Sequence, residues 1–161
     1  MPFTPVHLGP AVLLKALLGA NFSFVVFGGS QILIDLEPLV QLYRGASVIH
    51  GHSHSVLGAV SIGILATVLG KPIGQVFLLF LKYSDTHISW KASATGAFLG
   101  TFTHILIDGV MHSDMAPWFP FTTNNNLLGL VSVADLHYFC LGAGVLGLGL
   151  LGIQSYFKNN S

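Results

Sequence analysis

Long apolar runs separated by short polar breaks make up most of the chain. They predict helices over residues 6–18, 22–36, 55–69, 92–111 and 127–156, with a further apolar run over residues 73–81. The first two helices are short for a membrane crossing, which needs about 20 residues, and they predict a helical hairpin. The helix over residues 92–111 is apolar enough to lie in a bilayer, so the pattern favours a bundle of membrane helices.

Proline and glycine mark the predicted helix ends near the N-terminus. Pro5 suits the start of the first helix, and the Gly-Ala-Asn sequence at residues 19–21 ends it. Pro38 is expected to end the second helix, because proline lacks a backbone donor and restricts the residue before it. Residues 39–49 are therefore expected to form a loop.

The composition indicates a membrane protein. Charged residues make up 7% of the chain and hydrophobic residues 52%, with a mean hydropathy of +0.74, whereas a soluble domain carries about 25% charged residues. The 6 basic and 6 acidic residues cancel, so nothing points to nucleic acid as a main partner. The lone Cys140 excludes an internal disulfide and a Cys-x-x-Cys metal site. We therefore predict an all-α integral membrane helical bundle that forms a single domain over residues 1–161.

His104 and Asp108 are the strongest candidates for a functional site. Four residues apart on a helix, they share one face, with Cβ atoms about 5–6 Å apart, a spacing that suits a common metal ion. The surrounding residues are apolar, and ionisable groups in a membrane helix are costly and usually functional. The chain also has 8 histidines, and neutral imidazole suits zinc binding in a medium of low dielectric constant. The sequence thus predicts a His/Asp metal site among the helices, near one membrane face.

Histidine or acidic residues lie beside nearly every predicted helix end. They supply nitrogen and oxygen, the ligand atoms of zinc and other divalent metals. The predicted metal ligands are His7, Asp35, Glu37, His50, His54, His104, Asp108, His112, Asp114 and His137. Together they are expected to hold two or three divalent ions, most simply zinc. His52 and His87 are expected to face solvent, and only one of Asp135 and His137 is expected to turn inward.

Several of these features occur in a fixed order over about residues 1–121. They are Thr4-Pro-Val-His7, Asp35-Leu-Glu37, His50 followed by His54-Ser55, His104 with Asp108, and Trp118-Phe-Pro-Phe121. In this order they resemble the YdjM-type family of membrane-bound metal-dependent hydrolases, which is distantly similar to zinc-dependent phospholipase C and P1-type nucleases. The resemblance implies metal ligands at His7, at Asp35 or Glu37, and at His54, His104 and Asp108. The chain departs from the family pattern after His50, where Gly51 stands in place of arginine.

A water molecule activated by metal is the expected nucleophile. Divalent ions lower the pKa of bound water and clamp phosphate oxygens, and the chain has no Gly-x-Ser-x-Gly motif. Asp35 or Glu37 is the expected general base. A site at the membrane face predicts a phosphodiester or phospholipid-like amphiphile as substrate, with membrane lipid as partner. The same ligand types would also suit a transporter or channel for metal ions or protons, or a non-catalytic scaffold with a structural metal.

The predicted site constrains the directions of the helices. His7, Asp35 and His54 meet the end of the helix over residues 92–111 only if successive helices run in alternating directions. The apolar run after Pro72 therefore cannot be an independent crossing. We expect it to be a shallow interfacial helix or an extension of the preceding helix beyond a kink.

The lysines predict the orientation in the membrane. At the end far from the site lie Lys71, Lys82, Lys91 and Lys158, against Arg44 at the site end. Because basic residues favour the cytoplasmic side, the site is expected at the extracytoplasmic face of the inner or plasma membrane, with the C-terminus inside. The chain would cross five times, or three times if the first two helices form a re-entrant hairpin.

Overall fold

The computed structural model describes residues 5–160, which fold into a helical bundle with no β-strand in that range. The α-helices are α1 (Gly9–Leu18), α2 (Phe24–Ile34), α3 (Leu36–Tyr43), α4 (Val56–Phe80), α5 (Trp90–Met111) and α6 (Val133–Asn159). Four segments are long and apolar enough to cross a membrane, namely Phe24–Tyr43, Val56–Phe80, Trp90–Met111 and Val133–Asn159, whereas the apolar helix Val6–Asn21 is shorter. The predicted all-α membrane bundle is confirmed.

The prediction that Pro38 ends the second helix was wrong. A break at Asp35 separates α2 from α3, and α3 then runs through Pro38 to Tyr43. Pro38 lies in the first turn of α3, where a backbone N–H would have no partner within the helix, so proline is tolerated there. The loop predicted from residue 39 is therefore helical up to Tyr43.

Of the two alternatives for the apolar run after Pro72, the extension holds. α4 continues through Pro72 to Phe80 as one helix of 25 residues. Proline is better tolerated in membrane helices than in soluble ones, because neighbouring groups compensate for the freed backbone carbonyl. The Lys71 ammonium lies 4.4 Å from the centre of the Trp90 ring, so this part of α4 is level with the start of α5.

The last helix begins later than predicted. Residues 127–131 form turns, and α6 starts at Val133 after Ser132 caps it. The turns are tied to the end of α5, because the Gly129 N–H donates to the carbonyl of Val110 at 3.0 Å. Gly129 has a φ of +71°, a left-handed conformation that glycine adopts readily.

The far end of the bundle joins the starts of α2 and α5. The backbone N–H of Ser23 donates to the carbonyl of Ala92 at 3.1 Å. Nearby, the Lys15 ammonium donates to the carbonyls of Gly19 and Phe22 at 2.9 and 3.0 Å. α2 and α5 thus run from this far end toward the opposite end, which we call the site end, and α4 runs back packed against both of them.

α1 and α6 pack with their backbones in direct contact. A Cβ atom at Gly9 would lie 1.9 Å from the carbonyl oxygen of Cys140, and one at Gly147 would lie 2.5 Å from the backbone nitrogen of Leu13. Small residues permit this approach between membrane helices. Both helices therefore run from the site end in the same direction, and Cys140 is buried between them.

Candidate metal centre

Four buried side chains converge at the site end. Asp35 lies between α2 and α3, His54 comes just before α4, and His104 and Asp108 lie in the last turns of α5. Each of the four residues is at most 6% exposed. Ser55 caps α4 by accepting a hydrogen bond from a backbone N–H of the first turn of the helix at 3.2 Å. This cap fixes where α4 begins and so where His54, the residue before it, lies. We call Asp35, His54, His104 and Asp108 the inner cluster.

The donor atoms of the inner cluster are spaced like the ligands of one tetrahedral ion. The Nε2 atoms of the two histidines are 3.2 Å apart. Asp35 Oδ1 lies 3.3 Å from Nε2 of His104 and 3.6 Å from Nε2 of His54. Asp108 Oδ2 lies at the same two distances from them. Tetrahedral zinc, with ligand bonds of about 2.0–2.2 Å, holds its ligand atoms about 3.3–3.6 Å apart. The inner cluster therefore fits a zinc ion or another small divalent metal.

Gln31 sets the tautomer of His104. Its amide Nε2 donates to the carbonyl oxygen of Gly100 at 3.1 Å, so its Oε1 faces Nδ1 of His104 and accepts the hydrogen there. Neutral His104 then presents the lone pair of Nε2 to the inner cluster, as a metal ligand must. Gln31 was not among the residues predicted from the sequence. The available signal was an amide within an otherwise apolar helix.

The inner cluster could hold a cation among its donor atoms. His104 Nε2 offers a lone pair, and His54 Nε2 faces it at 3.2 Å. Two carboxylate oxygens lie beside them, in a place from which water is largely excluded. Such atoms repel one another unless a metal ion or a proton lies between them. Four converging donors are a better match to a metal ion than to a proton, which binds two.

We expect Gln31→Leu to weaken zinc binding by about 10–100-fold, the usual effect of losing a partner of a ligating histidine. Without the amide, Nδ1 of His104 has no fixed acceptor and the tautomer is no longer set. Competition with a zinc chelator measures the affinity. Gln154→Leu is the matched control, because Gln154 also donates to a backbone carbonyl, that of Ala16 at 3.0 Å, away from the centre. Equal affinities in the two variants would contradict this role for Gln31.

The second carboxylate oxygen of Asp108 faces His7. Asp108 Oδ1 lies 3.6 Å from Nε2 of His7, and neither this oxygen nor either ring nitrogen of His7 has a hydrogen-bond partner among the described residues. Burial lowers the pKa of His7 to about 4, although the Asp108 carboxylate acts to raise it, so the ring is neutral at pH 7. Because buried polar atoms normally have partners, these three atoms are placed to meet a ligand.

His50 and His112 form a second set of ligand atoms with Asp108, which we call the outer group. The two histidine rings stack with their centres 4.0 Å apart, and one donor atom from each of the three residues lies within 4.8 Å of the others. Partial burial and the neighbouring His50 lower the pKa of His112, which favours the neutral, ligating form. Asp108 thus belongs to both sets, so two candidate metal positions lie side by side.

Asp114 holds His50 in this arrangement. Its Oδ1 lies 2.9 Å from Nδ1 of His50, and its Oδ2 accepts hydrogen bonds from the backbone N–H groups of Ile49 and His50 at 2.9 and 3.1 Å. Partial burial acts to raise the pKa of Asp114, but these hydrogen bonds outweigh it and lower that pKa to about 2. The carboxylate is therefore ionised and orients the histidine, as partners of metal ligands do.

Glu37, which was predicted as a metal ligand or base, lies outside both sets. Its Oε2 accepts a hydrogen bond from the backbone N–H of Ser53 at 2.6 Å. Ser53 in turn places its hydroxyl 2.9 Å from Nδ1 of His54. The position of Glu37 therefore fixes the turn that carries His54.

The remaining histidine and acidic candidates lie around the centre. His137 is half-buried in α6 and close enough to His7 to contribute to lowering its pKa. Asp135 is exposed at the start of the same helix, where its Oδ2 accepts a hydrogen bond from Ser132 at 2.7 Å. His52 and His87 are exposed, as predicted. Of Asp135 and His137, the histidine is thus the one nearer the centre.

Comparison of the chain with protein-family models, with curated proteins and with solved structures finds no match. The resemblance to the YdjM-type hydrolases therefore stays a prediction that rests on the residues quoted above. The geometry is independent of that resemblance. It brings to one end of the bundle His7, Asp35, His54, His104 and Asp108.

Proposed function

We propose that this protein is a membrane-bound, zinc-dependent hydrolase of phosphodiester amphiphiles. The observation that carries the proposal is the spacing of the donor atoms of the inner cluster, in which the two histidine nitrogens lie 3.2 Å apart and each lies 3.3–3.6 Å from an oxygen of Asp35 and of Asp108. A second observation supports catalysis in particular. The buried atoms of His7 and Asp108 that lack partners leave polar groups beside the cluster for a substrate.

Two ions suit the ligand sets better than three. One would be held by the inner cluster and the other by the outer group, with Asp108 contributing to both. Zinc is proposed because the donors are imidazole nitrogens and carboxylate oxygens. The inner cluster supplies four of them, whereas the outer group supplies three, which would leave a position for water on the outer ion. When bound, zinc supplies Lewis acidity for phosphate oxygens and lowers the pKa of water to near neutrality.

The protein's own groups have distinct proposed roles. Asp35 would accept the proton of the attacking water at its other carboxylate oxygen, because its Oδ1 lies among the donor atoms that would hold the inner ion. Neutral His7 has one ring nitrogen with a lone pair and one with a hydrogen. Because His7 lies beside Asp108, the nitrogen that carries the hydrogen can donate to a phosphate oxygen there. Glu37 would act through Ser53, by holding the turn that positions His54.

A transporter is the competing function. It needs polar groups through the depth of the bilayer and a route to both sides. In the described part of the chain both ligand sets lie together at the site end, an arrangement that favours chemistry at one face over passage through the bundle.

The full chain, purified in detergent and loaded with zinc, tests the proposal. We expect it to cleave a soluble phosphodiester such as bis-p-nitrophenyl phosphate and a phosphatidylcholine, to lose both activities in EDTA, and to regain them with added zinc. Zinc binding without cleavage of any phosphodiester would refute the proposed hydrolase function. Zinc flux into sealed proteoliposomes in that case would identify a transporter.

We also propose that the site lies at the extracytoplasmic face of the inner or plasma membrane. The side-chain contacts of Lys15 with Gly19 and of Lys71 with Trp90 place both lysines at the far end. Because basic residues favour the cytoplasmic side of a membrane, the far end would be the cytoplasmic one. Single cysteines at the exposed positions Ser47 and Asn159, in a Cys140→Ser background, should react with impermeant reagents from outside and inside respectively. Reaction of both from the same side would refute the topology, and reaction of Ser47→Cys from the cytoplasm alone would reverse it.

A further inference from the structure

An apolar groove opens beside the metal centre, between α1, α5 and α6. It has a volume of about 350 Å³. Its lining includes Leu13, Leu14, Leu17, Leu106, Ile107 and Ala143. We call it the chain groove. α5 and α6 are long enough and apolar enough to cross a membrane, so the groove faces the bilayer interior.

One end of the chain groove lies at the site. Ile107, which lines the groove, directly precedes Asp108, and Pro10, which also lines it, follows His7 by one helical turn. His7 is 3% exposed, and both of its ring nitrogens and Asp108 Oδ1 lack hydrogen-bond partners among the described residues. The apolar groove and the buried polar atoms of His7 and Asp108 are therefore neighbours on α1 and α5, an arrangement that matches the apolar and polar parts of an amphiphile.

We propose that the chain groove binds one acyl chain of the phosphodiester amphiphile whose headgroup meets His7 and Asp108. The identity of the headgroup rests on the proposed function, whereas the position of the chain rests on the groove. From Pro10 to Leu17 the groove follows α1 for about 10 Å, at 1.5 Å per residue. An amphiphile can enter it sideways from the bilayer, so its chain stays in an apolar medium throughout.

A second groove, between α2 and α4, provides a control. It is larger, at about 520 Å³, and Leu8, next to His7, lines one part of it. Its lining on α4 is remote from the site, because Leu69 lies about 22 Å along the helix axis from His54. Leu69 lines this groove as Leu106 lines the chain groove, and both leucines are 43% exposed. Leu106→Trp and Leu69→Trp are therefore matched substitutions, each of which fills one groove.

Photolabelling tests the proposal. The zinc-loaded full chain in phosphatidylcholine nanodiscs is exposed to lysophosphatidylcholine with a diazirine in its acyl chain, and labelled residues are mapped by mass spectrometry. We expect labels to concentrate on the residues of α1 and α5 that line the chain groove. Leu106→Trp should reduce them about tenfold or more, as expected when a pocket is sterically blocked, and Leu69→Trp should leave them unchanged.

Three results would refute the proposal that the chain groove binds an acyl chain. Labels spread evenly over the lipid-facing residues of α4 and α6 would mean contact with bulk lipid only. Labels unaffected by Leu106→Trp would place the chain elsewhere. Cross-links between two chains that cover the groove would make it a surface for a second copy. Should Leu106→Trp not fold, Leu17→Trp at the exposed end of the groove is expected to reduce labelling in the same direction, and no reduction there refutes the proposal.

Parallel hydrolysis assays separate this proposal from the function on which it rests. We expect the ratio of long-chain to short-chain phosphodiester cleavage to fall about tenfold in Leu106→Trp and to stay unchanged in Leu69→Trp. If the wild-type protein cleaves neither substrate, the proposed hydrolase function is refuted, while the labelling pattern still tests acyl-chain binding in the groove. If the protein cleaves both substrates but is labelled elsewhere, only acyl-chain binding in the groove is refuted.

Discussion

Asp108→Asn is expected to remove most of the bound zinc. Asp108 is the residue shared by the inner cluster and the outer group, and its two oxygens face different partners, with Oδ2 3.3 Å from His104 and Oδ1 3.6 Å from His7. Asparagine keeps the shape of the side chain but loses its charge and one of its oxygens. Because changes to the supporting residues of a metal site already cost about 10–100-fold in affinity, loss of a shared ligand should cost more.

Elemental analysis of the purified protein measures the zinc content. Asp135→Asn is the matched control, since Asp135 is exposed and, among the described residues, its side chain bonds to its capping neighbour Ser132. It undergoes the same chemical change and should keep the full zinc content. His104→Ala should behave like Asp108→Asn, and both variants should still insert into the membrane, because their helix remains apolar. Full zinc content in both would remove the basis for a metal centre here.

His54→Ala is expected to abolish phosphodiester hydrolysis. His54 is fully buried, and its Nε2 lies within 3.6 Å of the ligand atoms of the other three members of the inner cluster. Removing a group that stabilises charge in a transition state typically costs about 10²–10³-fold, and loss of the metal should add to this. The measurement is the rate with the soluble phosphodiester at saturating zinc.

His87→Ala is the comparison for that experiment. His87 is exposed in the loop before α5, where its backbone N–H donates to Asp85 Oδ1 at 3.0 Å, a bond that alanine keeps. Its rate should match that of the unaltered protein. If the two histidine variants lost activity equally, the division between site histidines and loop histidines would be wrong.

Helix periodicity was enough to predict the core of the centre. His104 and Asp108 lie four residues apart on α5, and this local spacing holds in any α-helix. Asp35 and His54 were placed by their positions at helix ends. Their meeting with α5 could be predicted only in outline, because it depends on how the helices pack.

The residues missed or misplaced depend on contacts between distant parts of the chain. Gln31 reaches Gly100, 69 residues away, and no spacing rule signals such a pair. Glu37 was predicted to face the metal, and its hydrogen bond to Ser53 depends on the turn before α4. α3 was missed because Pro38 was interpreted as a stop, although the same residue is compatible with a first helical turn.

The inner cluster takes its ligands from three separate segments, so metal binding and helix assembly are thermodynamically linked. Asp35, His54 and the pair on α5 meet only when α2, α4 and α5 are packed together. An ion that binds only this packed state stabilises it by about 4 kcal/mol at a thousandfold excess over Kd. With the proposed zinc as that ion, the resistance of the bundle to unfolding would be set in part by the free zinc of the compartment that the site faces.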